Sequence, residues 1–398
     1  MRILIAEDER ITRTTLSRQL VSWGHNVTSA EDGQQAWELF GTGEFDIIIT
    51  DWEMPRLSGP ELVARVRQAP RAIYTYVIIL TSRSNKSDVV EGIEAGADDY
   101  VSKPFDREEL RVRLLAGQRI VELERALHEH NAQLRDANER IRSGLRAAAR
   151  VQQSMLPQQN IVTPCVRTGW KYVPTDELAG DAIGLHLIDD RYLVAYVLDV
   201  SGHGVPAALL SVTAMNALAP VPPESSLLRD TGGTGLGTVK HPATVAGELN
   251  RRFRSAELDG RYLTMVLCVL DTTNGQVHMT SAGHPAPLIM RGSESINAPD
   301  AGGLPIAMFD SSEYEEGCIQ LQAGDHICLY SDGVIEQTGR SDDQQFDIDR
   351  LRQSLISHEK LDPRELVLEV VNDLASWAGG CEFTDDVSIV SVEWLGCR

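Results

Sequence analysis

The chain has few cysteines. There are six in 398 residues, all from Cys165 onward, and none stands in C-x-x-C spacing. That spacing marks zinc ligands and redox pairs, so neither a zinc site nor a disulfide framework is indicated, and buried, reduced thiols in a cytoplasmic protein are expected. A long apolar run is also missing. The opening Met1-Arg2-Ile3-Leu4-Ile5-Ala6 meets Glu7-Asp8 too soon for a signal peptide or a membrane span. Positive charge is in deficit: 37 Lys and Arg face 58 Asp and Glu, a formal net charge of −21. This argues against a nucleic-acid-binding surface and against docking on an anionic membrane, and it suits the binding of cations or basic partner patches. No proline occurs from Asp106 to Leu156, and no histidine or cysteine stands with an evident partner as a nucleophile.

What is present is ordinary globular composition, 42% hydrophobic and 24% charged, at a length that predicts two domains or three. One stretch organises the chain. Tyr192–Leu198 is almost wholly apolar and reads as a buried strand. Asp199-Val200-Ser201-Gly202-His203-Gly204 follows, and then Val205-Pro206-Ala207-Ala208, where the proline suits a first helical turn. A carboxylate thus stands at the end of a core strand, beside glycines that let the backbone approach an ion or a phosphate. Read alone, Asp199 could simply cap the helix.

The first hundred residues alternate strand and helix signals. Strands are expected over 2–6, 25–30, 45–50, 76–80 and 100–102, and helices over 10–21, 34–40, 60–67 and 86–95. Five such units predict a doubly wound parallel sheet, which binds ligands at the carboxyl ends of its strands. Glu7, Asp8, Asp51, Thr81 and Lys103 all fall at those ends. Converging carboxylates repel one another unless a cation neutralises them, and oxygen ligands of this kind favour Mg²⁺. A lysine and a hydroxyl beside them would hold an anionic group. The plainer alternative is a set of strand-end polar residues with a Lys–Asp pair.

Residues 1–120 resemble the response-regulator receiver domain. The likeness rests on Glu7-Asp8, Asp51 with Met54-Pro55 and Gly59, Thr81-Ser82, Asp98-Asp99-Tyr100 and Lys103-Pro104-Phe105. It implies phosphorylation of Asp51 by a histidine kinase and a Mg²⁺ held by Glu7, Asp8, Asp51 and the backbone carbonyl of Glu53. It further implies that Thr81 and Tyr100 rearrange as switch residues, that Lys103 contacts the phosphoryl group, and that the Lys103–Pro104 bond is cis. Glu7 departs from the Asp more usual at its position.

Over 121–156, Leu127, Leu134, Ile141, Ala148 and Met155 continue a seven-residue stripe that starts at Ile120, with Leu123, His130, Ala137, Gly144 and Val151 at the alternating core positions. The last receiver helix is expected to run on as a coiled-coil linker pairing with a second copy of the chain in a homodimer. The alternative is a solitary helix packed on one domain.

After Pro157, over 157–398, strands separated by glycine turns predict a mixed or antiparallel architecture. Asp181, Asp199, Asp332 and the pair Asp385-Asp386 again stand at strand ends. Acids so placed suit two divalent metal ions that activate water for in-line attack on phosphorus. His203 and His284 could serve as general acids or merely shape their glycine loops. This region is similar to the metal-dependent type 2C (PPM) serine/threonine phosphatases, in the branch of the sporulation and stress-response phosphatases. The supporting motifs are Ala149-Arg150-Val151-Gln152-Gln153, Ala179-Gly180-Asp181, Asp199–Gly204, Asn250, Thr264-Met265, Ala282-Gly283-His284-Pro285, Gly324-Asp325, Ser331–Glu336 and Asp385-Asp386.

The resemblance implies an α/β/β/α sandwich after the α/β receiver. It implies two Mn²⁺ or Mg²⁺ ions bridged by Asp199, with the Val200 carbonyl, Asp181, Asp332 and Asp385 completing the shell and Asp386 ranking behind Asp385. It implies hydrolysis of phosphoserine or phosphothreonine on a STAS-type anti-sigma-factor antagonist. The family's usual second acid after Gly-Gly-Asp is absent at Ala182-Ile183-Gly184. Pro220–Pro242, rich in Gly, Pro, Ser and Thr, reads as a flexible flap. Two rival readings are a non-enzymatic, phosphorylation-switched adaptor and an unrelated two-metal phosphoesterase acting on small molecules. Loss of acids from the second site would mark the adaptor.

Overall fold

A computed structural model describes all residues except 71–73, 83–91, 223–224, 231, 234, 254–259, 341–343, 381 and 398. The chain divides into two compact units, Met1–Arg140 and Ile141–Arg398.

In the first unit, β1 (Arg2–Ala6), β2 (Asn26–Ala30), β3 (Ile47–Asp51), β4 (Tyr76–Thr81) and β5 (Asp99–Ser102) form one sheet in the order β2-β1-β3-β4-β5. Every pairing in it is parallel. Helices α1 (Arg10–Ser22), α2 (Gly33–Thr42) and α3 (Gly59–Gln68) are its crossovers. The helix expected over 86–95 falls largely outside the described residues. Both faces of the sheet are buried over its three inner strands, which is why β1, β3 and β4 read as unbroken apolar runs, while the edge strands β2 and β5 are more polar and partly exposed. Ile3, Ile5, Ile47 and Ile49 pack with Leu16, Leu110 and Leu114 on one face. Leu4, Ile48, Val77 and Ile79 pack with Phe40, Leu62 and Val63 on the other.

Helix α4 runs unbroken from Arg107 to Met155, as the absence of proline allows. Ile120, Leu123, Leu127, Leu134, Ile141 and Val151 of the stripe are all exposed. A second apolar face begins near the end of the helix, where Ala149, Leu145 and Leu156 pack into the second unit.

The second unit is a two-sheet sandwich. The first sheet holds β7 (Ala182–Ile188), β8 (Tyr192–Val200), β9 (Leu263–Asp271), β10 (Gln276–Ala282), β13 (Gly302–Gly303) and β14 (Gly317–Gln320). The second holds β6 (Val166–Val173), β11 (Leu288–Arg291), β12 (Glu294–Ile296), β15 (Asp325–Tyr330) and β16 (Val387–Trp394). Val194, Leu198 and Leu267 of the first sheet share one core with Ile327, Leu329 and Val390 of the second. Helices α5 (Val205–Leu218) and α6 (Pro242–Arg252) pack on the first sheet. After the short α7 (Asp332–Ile335), helices α8 (Asp347–Ser357) and α9 (Pro363–Trp377) cover the second. The layers are therefore α/β/β/α.

Two expectations are corrected. Cys165 and Cys397 pair as a disulfide with Cα atoms 5.0 Å apart. The two cysteines, 232 residues apart in sequence, meet because β16 runs beside β6, and Leu395 N–H donates to Cys165 O at 2.7 Å just beyond that pairing. Of the other described cysteines, Cys268 and Cys328 are buried but Cys318 is exposed. The segment 220–242 is also not a loose flap among its described residues. Leu228 and Val239 are buried, and Arg229 pairs with both Val239 in a β-bridge and Asp189 in an ion pair at 2.8 Å. Apolar residues within a Gly-rich stretch anchor it to the core.

Candidate functional site

The first unit brings its predicted acids to one edge. Because β1 and β3 are parallel neighbours, their ends place Glu7 and Asp8 beside Asp51. Carboxylate oxygens of all three lie within 4.8 Å of one another. Glu7 is fully buried, and burial raises its pKa despite Lys103. Lys103 Nζ is 2.8 Å from Glu7 Oε2 and 2.8 Å from Asp51 Oδ2. Burial alone would lower its pKa, but hydrogen bonds to Asp51 and Glu7 outweigh it and the pKa rises. The Lys103–Pro104 bond is cis. Thr81 is buried at the end of β4, and its carbonyl accepts from Lys103 N–H at 2.6 Å. Tyr100 is half-exposed on β5, with the Arg113 guanidinium 5.9 Å from its ring centre. Glu53 is exposed just past Asp51, whose Oδ1 accepts from Trp52 N–H at 2.8 Å.

In the second unit, strand register assembles the acids. β7 and β8 are antiparallel with Ala182 opposite Leu198, so Asp181 and Asp199 stand side by side. β15 and β16 are antiparallel with Tyr330 opposite Ile389, so Asp332 meets Asp385 and Asp386. The two groups of acids come from different sheets of the sandwich and close on one cleft of about 640 Å³. Asp199, Val200, His203, Asp332, Asp385 and Asp386 line it. Asp181 lies behind them, 2% exposed.

Burial and then the charges of Asp332, Asp385 and Asp386 push the Asp199 carboxyl up to about 7. Burial and then Asp199 push Asp181 well above the usual carboxylate range. Burial and Asp385 raise Asp332 as well. Among the described residues lining this cleft there is no lysine or arginine. Other buried acids of the unit are matched: Asp325 by Arg291 at 2.6 Å, Asp271 by Arg191 at 2.7 Å and Glu393 by Arg167 at 2.8 Å. Asp181 Oδ2 is buried with no hydrogen-bond partner among the described residues. Oxygen-only donors, strong mutual repulsion and an orphaned carboxylate oxygen fit divalent cations of the Mg²⁺ or Mn²⁺ kind.

Local sequence explains the close approaches. A side chain at Gly180 would place Cβ 2.9 Å from Val200 O, and one at Gly333 would place it 2.1 Å from Asp386 O. Gly202 and Gly204 hold φ of 87° and 78°, turning the chain from β8 into α5. Asp386 accepts from Thr175 N–H at 2.9 Å, Thr175 Oγ1–H at 3.0 Å and Gly180 N–H at 3.0 Å. It therefore ties the loop before Asp181 to β16. His284 is a neutral brace. Its Nδ1 accepts from Thr264 Oγ1–H at 2.7 Å, its Nε2 donates to Tyr330 O at 3.0 Å, and burial lowers its pKa to about 4. Asn250 donates to Phe309 O at 3.0 Å and accepts from Ala307 N–H at 2.7 Å. His203 is exposed at the rim.

Sequence reasoning missed what Gln152 does. Its Nε2 donates to Ala179 O at 2.7 Å and its Oε1 accepts from Ala179 N–H at 3.4 Å. A polar residue, 3% exposed near the end of a polar helix, gives no periodic signal, and only its partner reveals its role.

Fold and acids together define a receiver domain joined to a PPM-type phosphatase domain. The SpoIIE family model (stage II sporulation protein E) matches residues 189–395, and the response regulator receiver domain model matches residues 3–115. The chain belongs to the SpoIIE family. Over 116 residues it is 38% identical to the transcriptional regulatory protein TcrA of Mycobacterium tuberculosis, covering 29% of this chain and 45% of that protein. Over another 116-residue match it is 39% identical to the response regulator MprA of Mycolicibacterium vanbaalenii, covering 29% and 49%. The chain spans about half the length of these curated relatives. The solved SiaA-PP2C domain of Pseudomonas aeruginosa superposes with a TM-score of 0.53 at 22% identity, over 65% of this chain and 98% of that one, and shares its fold. Among the described residues, no helix is long and apolar enough to cross a membrane.

Proposed function

We propose that this chain is a cytoplasmic two-component response regulator. Phosphorylation of Asp51 by a histidine kinase controls metal-dependent dephosphorylation of phosphoserine or phosphothreonine on a partner protein, a STAS-type anti-sigma-factor antagonist. Residues 1–120 act as the receiver, 121–156 as a coiled-coil linker of a homodimer, and 157–398 as the phosphatase. The observation that carries this reading is the cleft of Asp181, Asp199, Asp332 and Asp385, drawn from both sheets and without the arginines that neutralise the unit's other buried acids.

When bound, two Mn²⁺ or Mg²⁺ ions would neutralise phosphate oxygens and make a water acidic enough to attack phosphorus. Asp199, together with Asp181, Asp332, Asp385 and the Val200 carbonyl, would hold them. Asp386 acts first as the brace of the Thr175 and Gly180 amides and ranks behind Asp385 as a ligand. In the receiver, Glu7, Asp8, Asp51 and the Glu53 carbonyl would hold Mg²⁺. Lys103, which already touches Asp51 and Glu7, would pair with the phosphoryl oxygens, while Thr81 and Tyr100 respond as switch residues.

Control has a physical route at the end of α4. Gln152 holds the backbone of Ala179, two residues before Asp181, and Ala149 packs on Leu178 and on Ala208 of α5, the helix that follows Asp199. A rotation or shift of α4 would therefore displace two of the acid-bearing loops together. The exposed stripe of Ile120, Leu123, Leu127, Leu134 and Ile141 suits pairing with a second copy, through which the receiver would act.

The test is Mn²⁺-dependent hydrolysis of an aryl phosphate, with and without a small phosphodonor, by the parent and Asp51→Ala. Metal-dependent turnover that changes with phosphodonor in the parent alone is expected. Turnover that responds equally in both proteins would remove the control claim. Absence of turnover under every condition would leave the adaptor reading.

A further inference from the structure

We propose that His241, His278 and Glu316 form a separate transition-metal site of zinc type on the flank of the phosphatase unit. His241 is the residue just before α6, His278 lies on β10, and Glu316 immediately precedes β14. None of the three lines the acidic cleft. Both imidazoles direct Nδ1 at one oxygen, Glu316 Oε1, each at 2.8 Å. The three candidate ligand atoms lie within 4.8 Å of one another. Metal–ligand bonds of about 2.0–2.2 Å in tetrahedral geometry need donors roughly 3.4 Å apart, so the atoms already stand within small side-chain adjustments of a coordinating set.

A second observation points the same way. Glu316 Oε2 is buried and has no hydrogen-bond partner among the described residues. A buried carboxylate oxygen without a donor is costly, and a cation between the three side chains would satisfy it. The donor chemistry separates this cluster from the other acidic sites. Two imidazoles and one carboxylate favour Zn²⁺ or a neighbouring transition metal over Mg²⁺, which prefers oxygen alone. The His278 ring is also held from behind, with Nε2 3.8 Å from Cys318 Sγ across the β10–β14 pairing. Such backing fixes which nitrogen faces a metal. His241 is partly exposed and gives an approach from solvent. The bound ion would pin the start of α6, and with it the end of the preceding 225–240 segment, to the edge of the sheet. This inference is independent of the reading of the acidic cleft.

The experiment uses the full chain, stripped with a chelator and then held in excess Mg²⁺ to occupy the oxygen-only sites. Zn²⁺ is titrated against a chromogenic competitor, and thermal unfolding is followed in parallel. One tight Zn²⁺ equivalent is expected in the parent, retained in Asp199→Asn and Asp51→Ala. It should be lost in His278→Ala and Glu316→Gln, with a larger drop in affinity than the roughly 10–100-fold that removing an outer-shell partner costs. The Zn²⁺-induced rise in unfolding temperature should vanish with it. Should His278→Ala fail to fold, the partly exposed His241→Ala carries the same comparison. A parent that takes up no tight Zn²⁺, or an equivalent kept by His241→Ala and Glu316→Gln, or one removed by Asp199→Asn instead, would overturn the proposal.

Discussion

Replacing Asp199 by Asn should make the metal-free protein more stable while ending hydrolysis. In the folded chain the Asp199 carboxyl titrates at about 7 instead of 3.8, because it is buried and faces Asp332, Asp385 and Asp386. An acid whose pKa is raised on folding binds more protons folded than unfolded between those two values. Its contribution to stability is therefore present at low pH and is lost as pH rises from about 4 through about 7. Each unit of difference corresponds to 1.36 kcal/mol, so at pH 8 an ionised Asp199 costs the fold at most on the order of 4 kcal/mol. Asn, isosteric and uncharged, removes that cost.

His186 and His284, held neutral by burial with pKa values lowered to about 4, impose the opposite slope. Their stabilisation is lost as pH falls from about 6.5 toward 4. Only the difference between parent and variant at each pH isolates Asp199. Calorimetry in chelator should show the second unit of Asp199→Asn unfolding at higher temperature than the parent at pH 8, by roughly 2–4 °C per kcal/mol gained. The difference should shrink toward pH 4. Mg²⁺, which suits the oxygen-only cleft and not the His241–His278–Glu316 cluster, should raise the parent's transition and leave the variant's nearly unmoved. Equal metal-free stabilities at pH 8 would refute the claim that the acids of this cleft are held together against their own repulsion.

Two further substitutions test how the cleft is positioned. Gln152→Ala leaves the Ala179 amide and carbonyl without their partner, and should cost about 1–3 kcal/mol in denaturant unfolding. It should also lower turnover on aryl phosphate although no atom of the cleft is altered; unchanged turnover would separate α4 from control. Gly333→Ala places a Cβ 2.1 Å from Asp386 O. Overpacking of this kind costs roughly 1–3 kcal/mol, and the variant should show weaker Mn²⁺ activation measured as a raised half-saturating metal concentration.

Much of this protein was legible before its structure. In the first unit the inner strands β1, β3 and β4 lie where apolar runs rich in β-branched residues demanded them, since the middle of a parallel sheet covered on both faces needs such runs whatever surrounds it. The polar residues that end those runs were bound to gather at one edge, because parallel strands all finish on the same side. The acids of the second unit were legible one by one for a related reason, each standing at an end of a buried strand: Asp199 and Asp332 where β8 and β15 finish, Asp181 and Asp385 just before β7 and β16 begin. The unbroken α4 followed from 51 residues without proline, from Asp106 to Leu156.

Tertiary structure alone decided the rest. Sequence assigns Asp199 and Asp332 to strand ends, but only the antiparallel registers and the packing of two sheets bring them to one cleft. Only the surrounding side chains show that these acids lack the arginines given to Asp325 and Asp271. Cys165 and Cys397, His241 and Glu316, and Gln152 and Ala179 carry no mutual signal, because each pair is joined across long stretches of chain by strand pairing and helix docking. The segment 220–242 misled because its composition describes backbone freedom, whereas its buried Leu228 and Val239 decide where it packs. Local pattern reports what each stretch buries, and contact between stretches depends on the whole core.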